Sequence, residues 1–210
     1  MNDPFKPSLK ESATFTLANR GMHNATVVAV VDEGKHLNEK YNKVSNIVSI
    51  GFEITQKNEE TGEDENLVIF SRRYTNSLHK NSALRKDLES WLGAPMSKEQ
   101  VDQFNLRQIL GKSCTINVVH TQSQDGTKTY ANIANILPKS VDRQPSETPY
   151  VYTVHDPDTN FDRLPKYVQN RVMASQQLKG ADGLVSQPEQ RQATLQESPA
   201  PANNVQTLDF

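Results

Sequence analysis

Residues 44–55, VSNIVSIGFEIT, alternate more cleanly than any other stretch of this chain: Val44, Val48, Ile50, Phe52 and Ile54 share one parity, Ser45, Ser49 and Glu53 the other. A side-chain period of two predicts a strand with one face in a core and one facing solvent. Gly51 falls on the outward parity, where a glycine marks a bulge, a close backbone approach or, in a small barrel, a bend that lets the sheet close. Partners flank this strand. Residues 25–32, ATVVAVVD, are β-branched and nearly continuous in apolar character, as in a strand buried on both sides. Residues 67–74, LVIFSRRY, predict a third strand, whose end sets Arg72 and Tyr74 on one face and Arg73 on the other.

A helix follows. In SALRKDLESWLG, Ser82 can cap the start, Leu84, Leu88, Trp91 and Leu92 recur at helical spacing, and Gly93 supplies the stop. Trp91 lies on the apolar stripe, which makes it a core residue rather than a stacking platform. A short second helix, SKEQVDQF, starts at Ser97 with the Ser/Gln spacing of a capping box. CTINVVHT and KTYANIANILP, joined by a turn at Asp125-Gly126, predict the fourth and fifth strands. Three strands, a helix and two strands predict a mainly β fold with helical additions, a five-stranded Greek-key barrel of the OB type with the helix between strands 3 and 4. Residues 1–24 then form an N-terminal arm and residues 25–140 the barrel. Residues 141–179 form a proline-rich strap and a helix from Pro165 that pack on or near it, with Tyr167, Val168, Val172 and Met173 on one side. Residues 180–210 have almost no core-forming residues, which predicts a disordered tail.

Charge has to be read by region. The chain carries 23 Lys and Arg against 25 Asp and Glu, a net of -2. Residues 1–140 hold 17 bases against 16 acids, and five of those acids, Glu59, Glu60, Glu63, Asp64 and Glu65, crowd one segment. Outside that segment the first part is basic, so a binding surface for a polyanion is hidden in the total. The acidic segment reads as a solvated hairpin tip, or as a competitor for the basic surface.

Several function classes find no support. The five histidines, His23, His36, His79, His120 and His155, stand at no metal-ligand spacing, and no nucleophile-elbow pattern surrounds a serine. GKS at 111–113 resembles the end of a phosphate-binding loop but lacks the upstream glycine and the following helix. Cys114 has no second thiol and reads as a buried strand residue. No apolar run is long enough to span a membrane and no secretory signal opens the chain. The expectation is a non-enzymatic cytoplasmic protein without cofactor or metal.

What remains is basic and aromatic. Lys40, Tyr41 and Lys43 fall in the segment GKHLNEKYNK between the first two strands, a rim of the groove in an OB barrel. Arg72, Arg73, Tyr74 and Lys80 end the third strand, Lys112 enters the fourth, and Lys128 and Tyr130 enter the fifth. Tyr130 reads equally as a stacking residue or as a cover for the sheet edge. Guanidinium and ammonium groups interleaved with aromatic rings suit phosphates and unstacked bases. These residues predict a single-stranded-DNA groove crossing strands two and three, tolerant of sequence.

The run SALRKDLESWLG, then FNLRQILGKSCTINVVH, the DGTKTYANIANILP hairpin and the FDRLPKYVQNRV helix together resemble a family of small proteins from tailed phages and prophages. The resemblance covers roughly residues 20–175. It implies an OB-fold, single-stranded-DNA-binding-like protein of phage DNA replication or recombination, acting in the bacterial host cytoplasm, and transfers no individual binding residue. The terminal Leu208-Asp209-Phe210 is similar to the Asp-X-Pro-Phe tips by which bacterial single-stranded-DNA-binding proteins recruit partners, but lacks the proline and the preceding acids. It implies replication or recombination proteins of phage or host as partners. The alternative is a protein-docking module whose sheet or tail recruits a phage recombinase or polymerase, or engages a host factor, without significant DNA binding.

Overall fold

The computed structural model describes residues 16–179, and residues 1–15 and 180–210, including the expected tail and its Leu208-Asp209-Phe210 tip, lie outside the described residues. Seven strands and three helices are present among them: β1 (Gly21–Asn38), β2 (Lys43–Lys57), β3 (Asp64–Phe70), β4 (Tyr74–Thr75), α1 (Ala83–Leu92), α2 (Lys98–Gln103), β5 (Ser113–Gln122), β6 (Thr129–Leu137), β7 (Tyr150–Thr153) and α3 (Lys166–Met173). The fold is mainly β. One sheet runs in the order β3-β2-β1-β5-β6, with every neighbour antiparallel; β4 pairs with β2 and β7 adds to β1 in parallel. The sheet is curled but not closed: its outermost strands, β3 and β6, approach each other without a ladder between them.

The inner face of the curl holds the main core. Ala25, Val27, Val30, Val48, Ile50, Phe52, Ile54, Cys114, Ile116 and Val118 meet Leu84, Leu88 and Trp91 of α1 there. The helix forms as its sequence predicts, with Ser82 Oγ accepting from the Arg85 N–H and Gly93 closing the end at φ 70. Ser97 and Gln100 make the reciprocal capping box at the start of α2.

Four expectations need correcting. The first strand is not limited to 25–32: β1 runs on to Asn38, because the polar residues 33–38 pair with β2 as a two-stranded arm, and only residues 39–42 turn. A ladder of this kind satisfies the backbone without needing apolar side chains. The third strand stops at Phe70. Ser71 leaves the ladder to bond Ile50 through both its amide and its hydroxyl, and Tyr74–Thr75 re-pairs separately. The strap is not wholly irregular, since Tyr150–Thr153 is a strand. The outer face of β2 does not meet solvent: Ser49, Gly51 and Glu53 are buried.

A second apolar cluster explains that last point. Ala29, Val31 and Phe70, on the outer face, pack against Tyr152, Val154, Leu164, Val168 and Val172 from β7 and α3. Gly51 sits beneath this layer; a Cβ there would stand 3.0 Å from Ala29 Cβ and 3.1 Å from Phe70 Cζ. The register shift between Val27 and Ala29 lies opposite it. Glycine is therefore required by close approach of both neighbouring strands.

Candidate nucleic-acid interface

The two ends of β2 carry opposite charge. At its start, the arm shared with β1 presents Lys35, Lys43 and the exposed ring of Tyr41 around the Asn42 turn. At its end, the hairpin shared with β3 presents Glu59, Glu60, Glu63 and Asp64, all exposed. Fourteen rises of ~3.3 Å put roughly 45 Å of strand between them. The acidic segment is thus a solvated hairpin tip far from the basic arm along the strand, which argues against its competing there as a polyanion would.

Arg72, Arg73 and Tyr74 are engaged within the protein. Arg72 forks onto Asp87 of α1 through Nε and Nη2 at 2.7–3.2 Å, and the Tyr74 hydroxyl donates to the same carboxylate at 2.6 Å. Tyr74 is 2% exposed, so a base cannot stack on its ring. Burial first, and then the Asp87 carboxylate, push its hydroxyl well above the ordinary tyrosine value. Sequence parity misplaced it because the strand breaks at Ser71. Arg73 donates from Nε to Glu33 at 2.8 Å, and Arg171 of α3 reaches the other oxygen of the same carboxylate at 2.9 Å. Glu33 is fully buried. Two guanidinium groups facing one carboxylate leave a net positive charge at the rim.

The outer face of β2 is closed by the chain itself. Arg143 pairs with Glu53 at 2.7 Å and donates to Thr55 and Asn66, while Ser146 donates to Glu53 from both its amide and its hydroxyl. Beneath these strap residues lies the Glu53 carboxylate, which would repel phosphate. This part of the outer face of β2 is therefore covered by the chain's own residues 143–146. Desolvation alone would raise the Glu53 carboxyl, but Ser146 and Arg143 outweigh it and hold it below its ordinary 4.5. A carboxylate stabilised in the folded state contributes stability that is complete above the unfolded value and lost as pH falls through the lowered folded value. The protein is expected to lose resistance to urea as pH drops below 4.5, and Glu53→Gln, less stable at pH 7, to lose less over the same interval. Equal acid slopes for the two proteins would refute this role.

The remaining candidates divide between separate places. Lys80 lies exposed in the segment after β4, and Asn76 of that segment bonds Asn46 of the basic arm. Lys43 is exposed in the arm, three residues before Asn46; the side chain of Lys40 is not described. Lys112 sits at the entrance of β5, bonded through its carbonyl to Val27 near the middle of β1. Lys128 and Tyr130 belong to the β5–β6 hairpin, whose ladder places Thr121 and Tyr130 beyond the Gly21 end of β1. They stand at the opposite end of β1 from Lys43 and form no common patch with it.

Sequence reasoning missed what α3 adds. Tyr167 and Met173 do not join the apolar stripe, which consists of Val168 and Val172; both are exposed. The Tyr167 ring is 46% exposed, lies edge-on against Phe70 at 6.3 Å, and carries the Arg171 guanidinium 5.3 Å from its centroid. Past α3 the chain returns to β1, where Gln176 N–H donates to the Lys35 carbonyl and Lys35 N–H to Gln177. His36 is bonded to the Glu33 carbonyl, and burial together with nearby Arg73 holds its pKa below the ordinary histidine value. The signal in the sequence was the Tyr167/Arg171 spacing of four, which places both on one helix face.

No group of three His, Cys, Asp or Glu side chains that could hold a metal occurs among the described residues, and no described helix is long and apolar enough to cross a membrane. Cys114 is buried, and desolvation pushes its thiol far above the ordinary value. In comparisons with known proteins, the chain matches no family model and no curated protein.

Proposed function

We propose that this chain is a non-enzymatic, single-stranded-DNA-binding protein built on an OB-type barrel, serving phage DNA replication or recombination. The strand order β3-β2-β1-β5-β6, with the helices between the third and next core strand, supports the barrel type. The observation that carries the binding reading is the charge separation along β2, which leaves lysines and an exposed tyrosine together on the arm of β1 and β2. A cationic end with an aromatic ring attracts a flexible polyanion whose bases are free to stack, and a duplex offers no such bases. The site in this proposal is centred on Lys35, Tyr41, Lys43 and Lys80, with Lys40 between them in sequence.

The test is fluorescence anisotropy with labelled oligo-dT and its duplex across a salt series. Preference for the single strand, weakening steeply with salt, is expected. Lys35→Glu combined with Lys43→Glu should cut affinity at least tenfold and flatten the log–log salt slope by roughly 1.4, about 0.7 for each lost phosphate contact. No binding at low salt would overturn the proposal. It would leave the reading as a protein-docking module, which one observation favours: β5 and β6 contain no Lys, Arg, Asp or Glu, and Met22 and Tyr130 stand exposed at that end.

A further inference from the structure

The arm of β1 and β2 accounts for only part of the basic surface at its end of the barrel. Glu33, buried on β1, is held by Arg73 from the segment after β3 and by Arg171 from α3, so these two guanidinium groups converge from different elements on one carboxylate. Their second positive charge has no acidic partner in this cluster. Four residues before Arg171 on the same helix stands Tyr167, one of three tyrosines with substantial exposure, beside Tyr41 and Tyr130. Its ring carries the Arg171 guanidinium and packs against Phe70, which the Gly51 gap seats in the sheet. A ring held by Phe70 and Arg171, and still about half exposed, loses little freedom when a base stacks on its accessible part.

These positions connect. Tyr167, Arg171, Arg73, then His36 and Lys35 lie about Glu33 and lead along β1 to Tyr41 and Lys43, and Gln176 and Gln177 tie the end of the α3 segment to Lys35. From Glu33 to Asn38 the strand rises roughly 16 Å, and the turn carrying Tyr41 follows. We infer that Tyr167 is a second base-stacking platform, with Arg73 and Arg171 contacting the adjoining phosphates, so that the single strand runs from α3 along the edge of β1 to the hairpin tip. This inference rests on the single-stranded-DNA reading and assigns α3 to the binding surface.

The experiment separates stacking from folding. Wild type, Tyr167→Ala and Tyr167→Phe are titrated with oligo-dT and with an oligonucleotide of the same length in which the bases are replaced by abasic sites. Tyr167→Ala should lose about tenfold on oligo-dT, as expected for one stacked base, and little on the abasic strand, while Tyr167→Phe retains wild-type affinity for both. Unchanged affinity of Tyr167→Ala for oligo-dT overturns the inference, as does an equal loss on both strands, which would mean that the ring only supports the fold. If wild type binds and the Lys35/Lys43 double variant weakens it but Tyr167→Ala does not, the platform fails and the arm stands. If wild type binds neither strand, both readings fall.

Discussion

Trp91→Ala is expected to remove about 4 kcal/mol of folding stability. The indole is 1% exposed, packs tilted against Phe52 with ring centroids 6.3 Å apart, and donates its N–H to the Ser113 carbonyl at 3.1 Å. Truncation opens a cavity between α1 and the inner face of the sheet and also strands a buried carbonyl at the start of β5. Trp91→Phe separates the two contributions: it keeps much of the packing and leaves the carbonyl unpaired, for a loss of about 1–3 kcal/mol. Because Trp91 is the only tryptophan, urea unfolding has to be followed by far-UV circular dichroism. A loss below about 1.5 kcal/mol for the alanine variant would show that α1 is not docked through this residue.

Glu33→Ala should cost a comparable amount, about 3–5 kcal/mol, for an electrostatic reason. The carboxylate has no exposure and balances two guanidinium groups. Without it the partly exposed Arg73 and Arg171 face each other with no buried carboxylate between them, and the β7–α3 layer loses one of its ties to β1. Glu33→Gln, nearly the same shape, is expected to be almost as damaging. Replacing all three residues by methionine should recover most of the loss, because apolar packing of similar volume replaces a desolvated ion cluster at little cost. If the triple variant proved as unstable as Glu33→Ala, shape rather than charge would explain the effect.

The fold was largely legible where side-chain period speaks for itself. β2, α1 with both its caps, the α2 capping box, the β5–β6 hairpin and the buried states of Trp91 and Cys114 follow from local pattern and turn chemistry. The errors share one cause. Polar residues 33–38 read as a loop, and Ser49 and Glu53 read as solvent-facing, because polarity alone does not say whether a side chain meets water or a partner. Glu53 is polar and buried since Arg143 and Ser146, some 90 residues away, replace its water. The candidate site suffered the same way. Arg72 and Arg73 counted as free cations until Asp87 and Glu33 were seen against them, and Tyr167 counted as core until α3 was seen to bury Val168 and Val172 instead.

The sequence by itself determined that β1, β2, β3, β5 and β6 and the three helices exist, the caps of α1 and α2 and the crowding of five acids into one hairpin, because each depends on residues within a turn or two of one another. Only the tertiary structure decided which charges are spent. Glu53 neutralises Arg143 and Asp87 neutralises Arg72, whereas the single carboxylate of Glu33 faces both Arg73 and Arg171, and whether a charge attracts a ligand depends on what already neutralises it. That physical fact moves the proposed surface from the outer face of β2 to the arm of β1 and β2 and the exposed edge of α3.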